Sequence, residues 1–529
     1  MLNQSAIRFG FIDKSPRNTE VFGLFKGVYM KKLTVSWLVI GIAACNPSPQ
    51  SPFESQNYDQ KDAPAIIGQA TEAPVITVTD LKGQPLVGAK ILIGSRLGQP
   101  FVNNLIQTDQ AGHAVAPAEW STLNSVTVNH PGYLRMTYLN VMPQALTFKL
   151  RPLEKGERIE LSGTTTGFGN LNRDNIADFG LVIPSLTKRD LFAFSLDKII
   201  SPEMDVIEIA GMDSKVPSNL TLPRQRETYV IPITLEKERY RMYFNEAGPK
   251  KLYALHGKFP FKEVVDQIRN KTPFQTLVNY FEFSNGSMRD VTISGPTQLH
   301  LPVNEMTFTA SDRMTPPRLD SDKVMIAISL FENNGYLYPT DIHKVENNNT
   351  FTMKGLAKAQ RMYLSMVKRS SDFNGKGEVQ EATSAELVPQ EQEHSPTFLG
   401  LIPLPQVTTT GWTSKIPENQ GPIAPLTTYS VLSKVVQNGK QKTVVREWEF
   451  YSANWVENLE VPEWPANSFD QSFELSEDEA YVRPKTTTSQ RWEITYIGTN
   501  QKLPVPIQSK MGPDVVDYTT HISFNSVEF

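Results

Sequence analysis

The stretch Val75 to Gly94, "VITVTDLKGQPLVGAKILIG", reads as strand, turn and strand. Ile76 and Val78 alternate with polar neighbours, Lys82-Gly83 supplies the turn, and Ala89, Ile91 and Ile93 alternate again. A period of two puts every second side chain on one face, so each run predicts a half-buried strand. Downstream, "TDQAGHAV" (Thr108 to Val115) is a second turn leading into a strand. "SVTVNHPGYLR" sets Val126 and Val128 before a His-Pro-Gly turn, and "ALTFKLRPL" closes with Leu146, Phe148 and Leu150 on one face. The segment 71–154 is therefore expected to be a run of short strands joined by turns.

The order D-x-x-G-x-P-L-x-G-A, then T-D-x-x-G, then V-x-V-x-x-P-G-Y resembles a carboxypeptidase regulatory-like domain. The residues that carry it are Asp80, Gly83, Pro85, Gly88, Ala89, Thr108, Asp109, Gly112, Pro131, Gly132 and Tyr133. The resemblance covers about 80 residues and implies a transthyretin-like β-sandwich, an accessory module without chemistry of its own.

Working towards the N-terminus, 45–70 is rich in Pro, Ser and Gln and poor in apolar residues, the composition of a flexible tether. Before it stands "MKKLTVSWLVIGIAACNPSPQSP", Met30 to Pro52, with the only cysteine of the 529-residue chain. Lys31 and Lys32, an apolar run too short to span a bilayer, and small residues before Cys45 make a secretory signal over 30–44. With one cysteine, an intramolecular disulfide is excluded. Ile42-Ala43-Ala44-Cys45 resembles the lipobox of bacterial lipoproteins. That resemblance implies a diacylglyceryl group on the Cys45 sulfur, cleavage after Ala44 and acylation of the new amine. Asn46 in the following position implies sorting to the outer membrane of a diderm bacterium. Residues 1–29 then read as a mis-assigned leader ahead of a start at Met30.

Without residues 1–44, the chain keeps 46 basic and 54 acidic side chains, a formal charge of −8. That balance argues against nucleic acid as a partner. The expected partners are the membrane, through the lipid anchor, and an envelope protein or glycan. About 485 residues suffice for roughly three domains.

From 155 to 310 the pattern is mixed α/β. Strand-like runs precede two short helices: Phe261, Val264, Val265 and Ile268 share one face, and Phe274, Leu277, Val278 and Phe281 another. Thr272, Pro273 and Gln275 read as a capping box for the second helix. From 311 to 529 the chain reads as a β-rich, sandwich-like region with an Asn334-Gly335 hairpin turn and an acidic loop at 375–395. "HISFNSVEF" reads as a soluble terminal strand. The fold class expected is mainly β and multidomain.

Three sets of residues are candidates for chemistry. Asn170, Asn172, Asp174 and Asp178 occupy positions 1, 3, 5 and 9 of a pattern resembling an integrin-type calcium loop, which offers several hard oxygens from one turn. Asn175 stands where glycine eases such a turn, and an Asx-rich turn bonded to its own backbone is the competing account. The cofactor expectation is calcium there, or none. Trp455 and Trp464 lie near predicted loops and are expected to be exposed for ligand stacking, whereas Trp448 with Phe450, and Trp492 with Ile494 and Tyr496, are placed as core faces. No H-E-x-x-H, G-x-S-x-G or P-loop occurs, and the seven histidines show no ligand spacing. No catalytic residue is assigned. The function expected is a lipid-anchored cell-envelope protein with a non-catalytic binding or scaffolding role. The alternative is a cell-envelope hydrolase acting on glycan or peptide, since scattered carboxylates can still pair.

Overall fold

The computed structural model describes residues 73–152, 159–167, 176–192, 204–209, 212–217, 237–244, 247–270, 272, 274–345, 348–369, 379–388, 392–419, 421–438, 441–465, 486–502 and 511–529. Cys45, with most of the loop around Asn170 and residues 375–378 and 389–391 of the expected acidic loop, lies outside them. The middle of that expected loop, Val379–Val388, is instead a strand of the largest sheet, most of its residues buried where it pairs with a strand on either side. The chain is mainly β, in several sheets.

The opening stretch folds as its alternation dictates. Strands β1 (Val75–Asp80), β2 (Lys90–Ile93), β3 (Leu105–Gln107), β4 (His113–Val115), β5 (Asn124–Asn129), β6 (Arg135–Val141) and β7 (Leu146–Leu150) form two layers. One layer has the order β4-β1-β7, and the other runs β3-β2-β5-β6. Ile76, Val78, Ile91, Val126, Val128 and Phe148 are fully buried between them. Two of its turns are built alike. Asp80 Oδ1 accepts the N–H groups of Lys82 and Gln84, both at 2.8 Å, and Asp109 Oδ1 accepts those of Ala111 and His113, both at 2.9 Å. In each, the glycine three residues on, Gly83 or Gly112, takes a positive φ (81° and 74°). This is the Asx-turn chemistry of a D-x-x-G sequence.

The segment 155–310 contributes a three-stranded and a four-stranded sheet, the latter ordered Met306–Thr307, Glu282–Ile293, Gly248–Pro260, Ile176–Pro184. The helix Phe261–Arg269 follows directly on strand Gly248–Pro260. Val264 is buried, but Phe261 at its first position keeps 39% of its surface, so that end of the expected apolar face meets solvent. The second expected helix is a 3₁₀ turn, Phe274–Tyr280, and the Thr272 hydroxyl ahead of it donates to Gln267 Oε1 at 2.6 Å, while the side chain of Gln275 lies outside the described residues. Tertiary bonding accounts for the tighter winding. Asn279 accepts the Lys344 N–H and donates to the Lys344 carbonyl, pinning the turn to a neighbouring strand while Leu277 and Val278 enter the core. That core also takes in Ile326, Ile328, Phe331 and Tyr338 from the hairpin beyond residue 310.

The hairpin turns at Asn334 and Gly335, φ 54° and 80°, the two positive values that a type I′ turn requires. Its strands, Lys323–Asn333 and Tyr336–Val345, begin a twelve-stranded sheet. The order continues through Arg361–Arg369, Val379–Val388, His521–Glu528, Thr486–Thr499, Ala424–Asn438 and Gln441–Ser452, then passes into β6, β5, β2 and β3. The join is a parallel ladder pairing Trp448 with Arg135 and Ser452 with Leu139. The N-terminal sandwich and the C-terminal region thus share one sheet.

Candidate functional site

The join carries the densest chemistry. Trp448 and Phe450 project from one face of strand Gln441–Ser452 into a core with Trp412, Trp492, Ile494 and Tyr496. This is the arrangement the strand alternation predicted for them. On the opposite face, Glu449 is wholly buried and Tyr451 enters the sandwich core. Simple alternation would place Arg446 with Trp448. A bulge intervenes: Leu432 pairs with Trp448 but Ser433 pairs with Arg446, leaving Glu447 unmatched. The extra residue turns Arg446 to the Glu449 side. There Glu449 Oε1 accepts from the Tyr429 hydroxyl at 2.8 Å and lies 3.3 Å from Arg151 Nε and 3.5 Å from Arg446 Nη1. Burial pushes the Tyr429 and Tyr451 phenols up, with Glu449 adding to both. Burial works against the charges on Arg151 and Arg446. For Arg151, Glu449, Tyr451 and Tyr429 together outweigh it; for Arg446, Tyr429, Glu493 and Glu449 do so, and both stay cationic. The carboxylate is committed to two cations in a closed space, which is a structural clamp.

Trp455 and Trp464 are half-buried rather than open platforms. The Trp455 indole N–H donates to Ser414 O at 3.1 Å, and its ring meets Trp412 and Tyr496. Trp464 covers the Arg135 guanidinium, 4.8 Å from the ring centroid, while Trp448 flanks it at 4.4 Å. A guanidinium between two indoles is a favourable cation–π arrangement, and it occupies one face of each ring.

Of the calcium-loop residues, Asn170, Asn172 and Asp174 lie outside the described residues. Asp178 falls inside strand Ile176–Pro184, buried, with Oδ2 3.2 Å from His256 Nε2. The other ring nitrogen, Nδ1, lies 3.2 Å from Ser284 Oγ and 3.3 Å from Asn285 Nδ2. Desolvation lowers the His256 pKa despite the Asp178 carboxylate, so the ring favours its neutral form. Among the described residues no group of three or more His, Cys, Asp or Glu side chains is placed to hold a metal ion.

A second histidine cluster has no trace in local sequence. Glu386 lies with Oε2 3.6 Å from His394 Nε2 and Oε1 3.8 Å from His521 Nε2. Ser384 Oγ and Asn500 Nδ2 donate to the carboxylate, and Thr397 and Thr520 hydroxyls contact the two nitrogens of His521. Burial pushes both histidines down to about 4 and raises Glu386.

No protein-family model matches the chain, and no curated protein sequence does. Among solved structures, the TIE protein of Bacillus anthracis aligns at 10% identity with a TM-score of 0.13, over 62% of this chain and 50% of that one. The chain thus spans about half the length of that protein. The major pilin subunit of Bacillus cereus aligns at 8% identity with a TM-score of 0.12, over 62% of this chain and 99% of that one.

Proposed function

We propose that this chain is a lipid-anchored cell-envelope protein, held in the outer membrane of a diderm bacterium through acylated Cys45, with a non-catalytic binding or scaffolding role. Its support in the sequence is the signal and small-residue run before the single thiol, followed by a polar tether. The single structural observation that favours a scaffold is the shared sheet: strand Gln441–Ser452 pairs in parallel with β6. That ladder joins segments more than 300 residues apart in one sheet. The resemblance of 71–154 to a carboxypeptidase regulatory-like domain fits an accessory role in the same chain.

The test is metabolic labelling with an alkyne-bearing palmitate analogue, followed by fractionation. Label is expected on the native chain in the membrane fraction and lost in Cys45→Ala, with the chain becoming extractable. Unlabelled native protein, or label that survives the substitution, sinks the anchor reading.

One observation favours the hydrolase alternative. Asp178 Oδ2 and Ser284 Oγ each lie 3.2 Å from one ring nitrogen of His256, placing a carboxylate, an imidazole and a hydroxyl in series, and desolvation keeps the imidazole neutral. A fluorophosphonate probe decides it. Labelling that disappears in Ser284→Ala supports a nucleophile, and an unlabelled folded protein removes this reading.

A further inference from the structure

The exposed aliphatic residues of the N-terminal sandwich collect at one pole. Val75, Leu97, Val102, Val115, Leu123 and Met142 are between 38% and 82% exposed, Val102 the most. The pairing registers bring them together. Val75 begins β1 opposite Val115 at the end of β4. β7 starts beside Ile76, so the loop holding Met142 returns to this end. Asn124, next to Leu123, pairs with Val141. Ile93 pairs with Val126, so the loop 94–104, with Leu97 and Val102, leaves the sheet at the same pole.

Three features separate this pole from ordinary surface. Its loops, 94–104, 116–123 and 142–145, contain one cation, Arg96, and one anion, Glu119. The opposite pole holds Asp80, Lys82, Asp109 and His130 and a single large exposed aliphatic, Val87. The loop carrying Leu97 and Val102 is fixed from below. Asn104 is fully buried, its Oδ1 accepts the Gly98 N–H at 2.8 Å, and its Nδ2 lies 2.6–2.8 Å from the carbonyls of Ile93, Arg96 and Gln99. The apolar tips are held outward, and Glu463, which donates its N–H to Ser95 O at the flank, leaves them uncovered. Contiguous exposed aliphatics with few charges mark an interaction surface.

The occupant follows from where the chain enters. Residues 46–74 join Cys45 to Val75, and Val75 is itself part of the apolar pole. A flexible tether of that length has a root-mean-square span of about 30 Å. It holds the pole at a high effective concentration against any surface that carries Cys45, so a weak contact suffices. We infer that this pole docks on the phospholipid bilayer, seating Leu97 and Val102 in the headgroup region, with the strands of the sandwich rising from the membrane. The inference rests on the anchor reading. With one charge of each sign in its three loops and Glu463 at the flank, the contact is carried by the aliphatic tips and directed at zwitterionic headgroups, and it persists at high salt.

The test supplies the tether without acylation. The chain from residue 45, carrying Cys45→Ser and an N-terminal polyhistidine tag, is held on phosphatidylcholine vesicles by a nickel-chelating lipid. The chain then has no cysteine, so Val102→Cys and, at the opposite pole, Val87→Cys each accept one polarity-sensitive dye. A blue shift at 102 that withstands high salt, with none at 87, is the result expected. Adding Leu97→Asp to the Val102→Cys protein should reduce the shift. No shift at 102, or equal shifts at both poles, overturns the inference. A shift at 102 that grows with protein concentration in the absence of vesicles also overturns it, and assigns the pole to a second copy of the chain. Because acylation plays no part here, a failed palmitate labelling removes the anchor and leaves this result standing; an absent shift does the reverse.

Discussion

Trp448 stands opposite Arg135 across the parallel ladder, with the guanidinium 4.4 Å from its ring centroid and its indole N–H donating to Thr137 Oγ1 at 2.7 Å. One side chain thus closes a core on its own strand and bonds the strand that belongs to the N-terminal sandwich. Trp448→Ala is expected to cost about 3–5 kcal/mol, the range for a buried indole. Trp448→Phe keeps most of the packing but removes the bond to the Thr137 hydroxyl, which retains Thr127 Oγ1 at 2.9 Å, at about 1 kcal/mol. Urea unfolding followed at several probes checks both. A Trp448→Ala protein with unchanged midpoint would show that the join bears no load.

Trp455 offers a contrast between packing and recognition. Its N–H is bonded to Ser414 O and its ring is set against Trp412 and Tyr496. Trp455→Ala should therefore lower stability by about 2–3 kcal/mol, at or below the low end for an aromatic truncation because the ring is half-buried. Thermal unfolding measures this. An unaltered melting temperature would return Trp455 to the class of exposed ligand platforms.

Acid should loosen the cluster around Glu386. His394 and His521 have folded values of about 4 against roughly 6.5 in an unfolded chain. Between those values the unfolded state binds more protons, so stability present above about pH 6.5 is lost as the pH falls towards 4. Each histidine contributes at most about 3 kcal/mol. Glu386, raised in the fold, acts in the opposite direction and trims the total. Denaturant midpoints from pH 7 to 4 should fall, and His394→Gln should flatten the slope. A pH-independent midpoint over that window would contradict the assignment.

The twin aspartate turns differ in what surrounds their glycines. A Cβ on Gly83 meets nothing within 4 Å, so Gly83→Ala bears only the positive-φ penalty, about 1–2 kcal/mol. A Cβ on Gly112 falls 2.6 Å from the Val78 carbonyl and close to Pro85, so Gly112→Ala must also displace backbone. The second variant should be clearly the less stable in parallel melts. Equal losses would mean that the Val78 contact yields freely.

The strands of the sandwich, both aspartate turns and the Asn-Gly hairpin were legible in the sequence because each depends on residues within a few positions of one another. Alternation, an Asx side chain reaching its own backbone and two positive φ values are local chemistry. So is the separation of Trp448 and Phe450 from Glu449. The remainder was decided by partners far along the chain. The bulge at Glu447 exists only in register with Ser433 and Leu432, and it reverses the side on which Arg446 stands. The turn Phe274–Tyr280 winds as 3₁₀ where it is bonded to Lys344, and Asp178 turns to His256 on the adjacent strand. Register and bulges are properties of a strand pair rather than of a strand, so a sequence with sound local periodicity determines which faces are apolar. Only the tertiary structure determines what each buried charge and each tryptophan meets there.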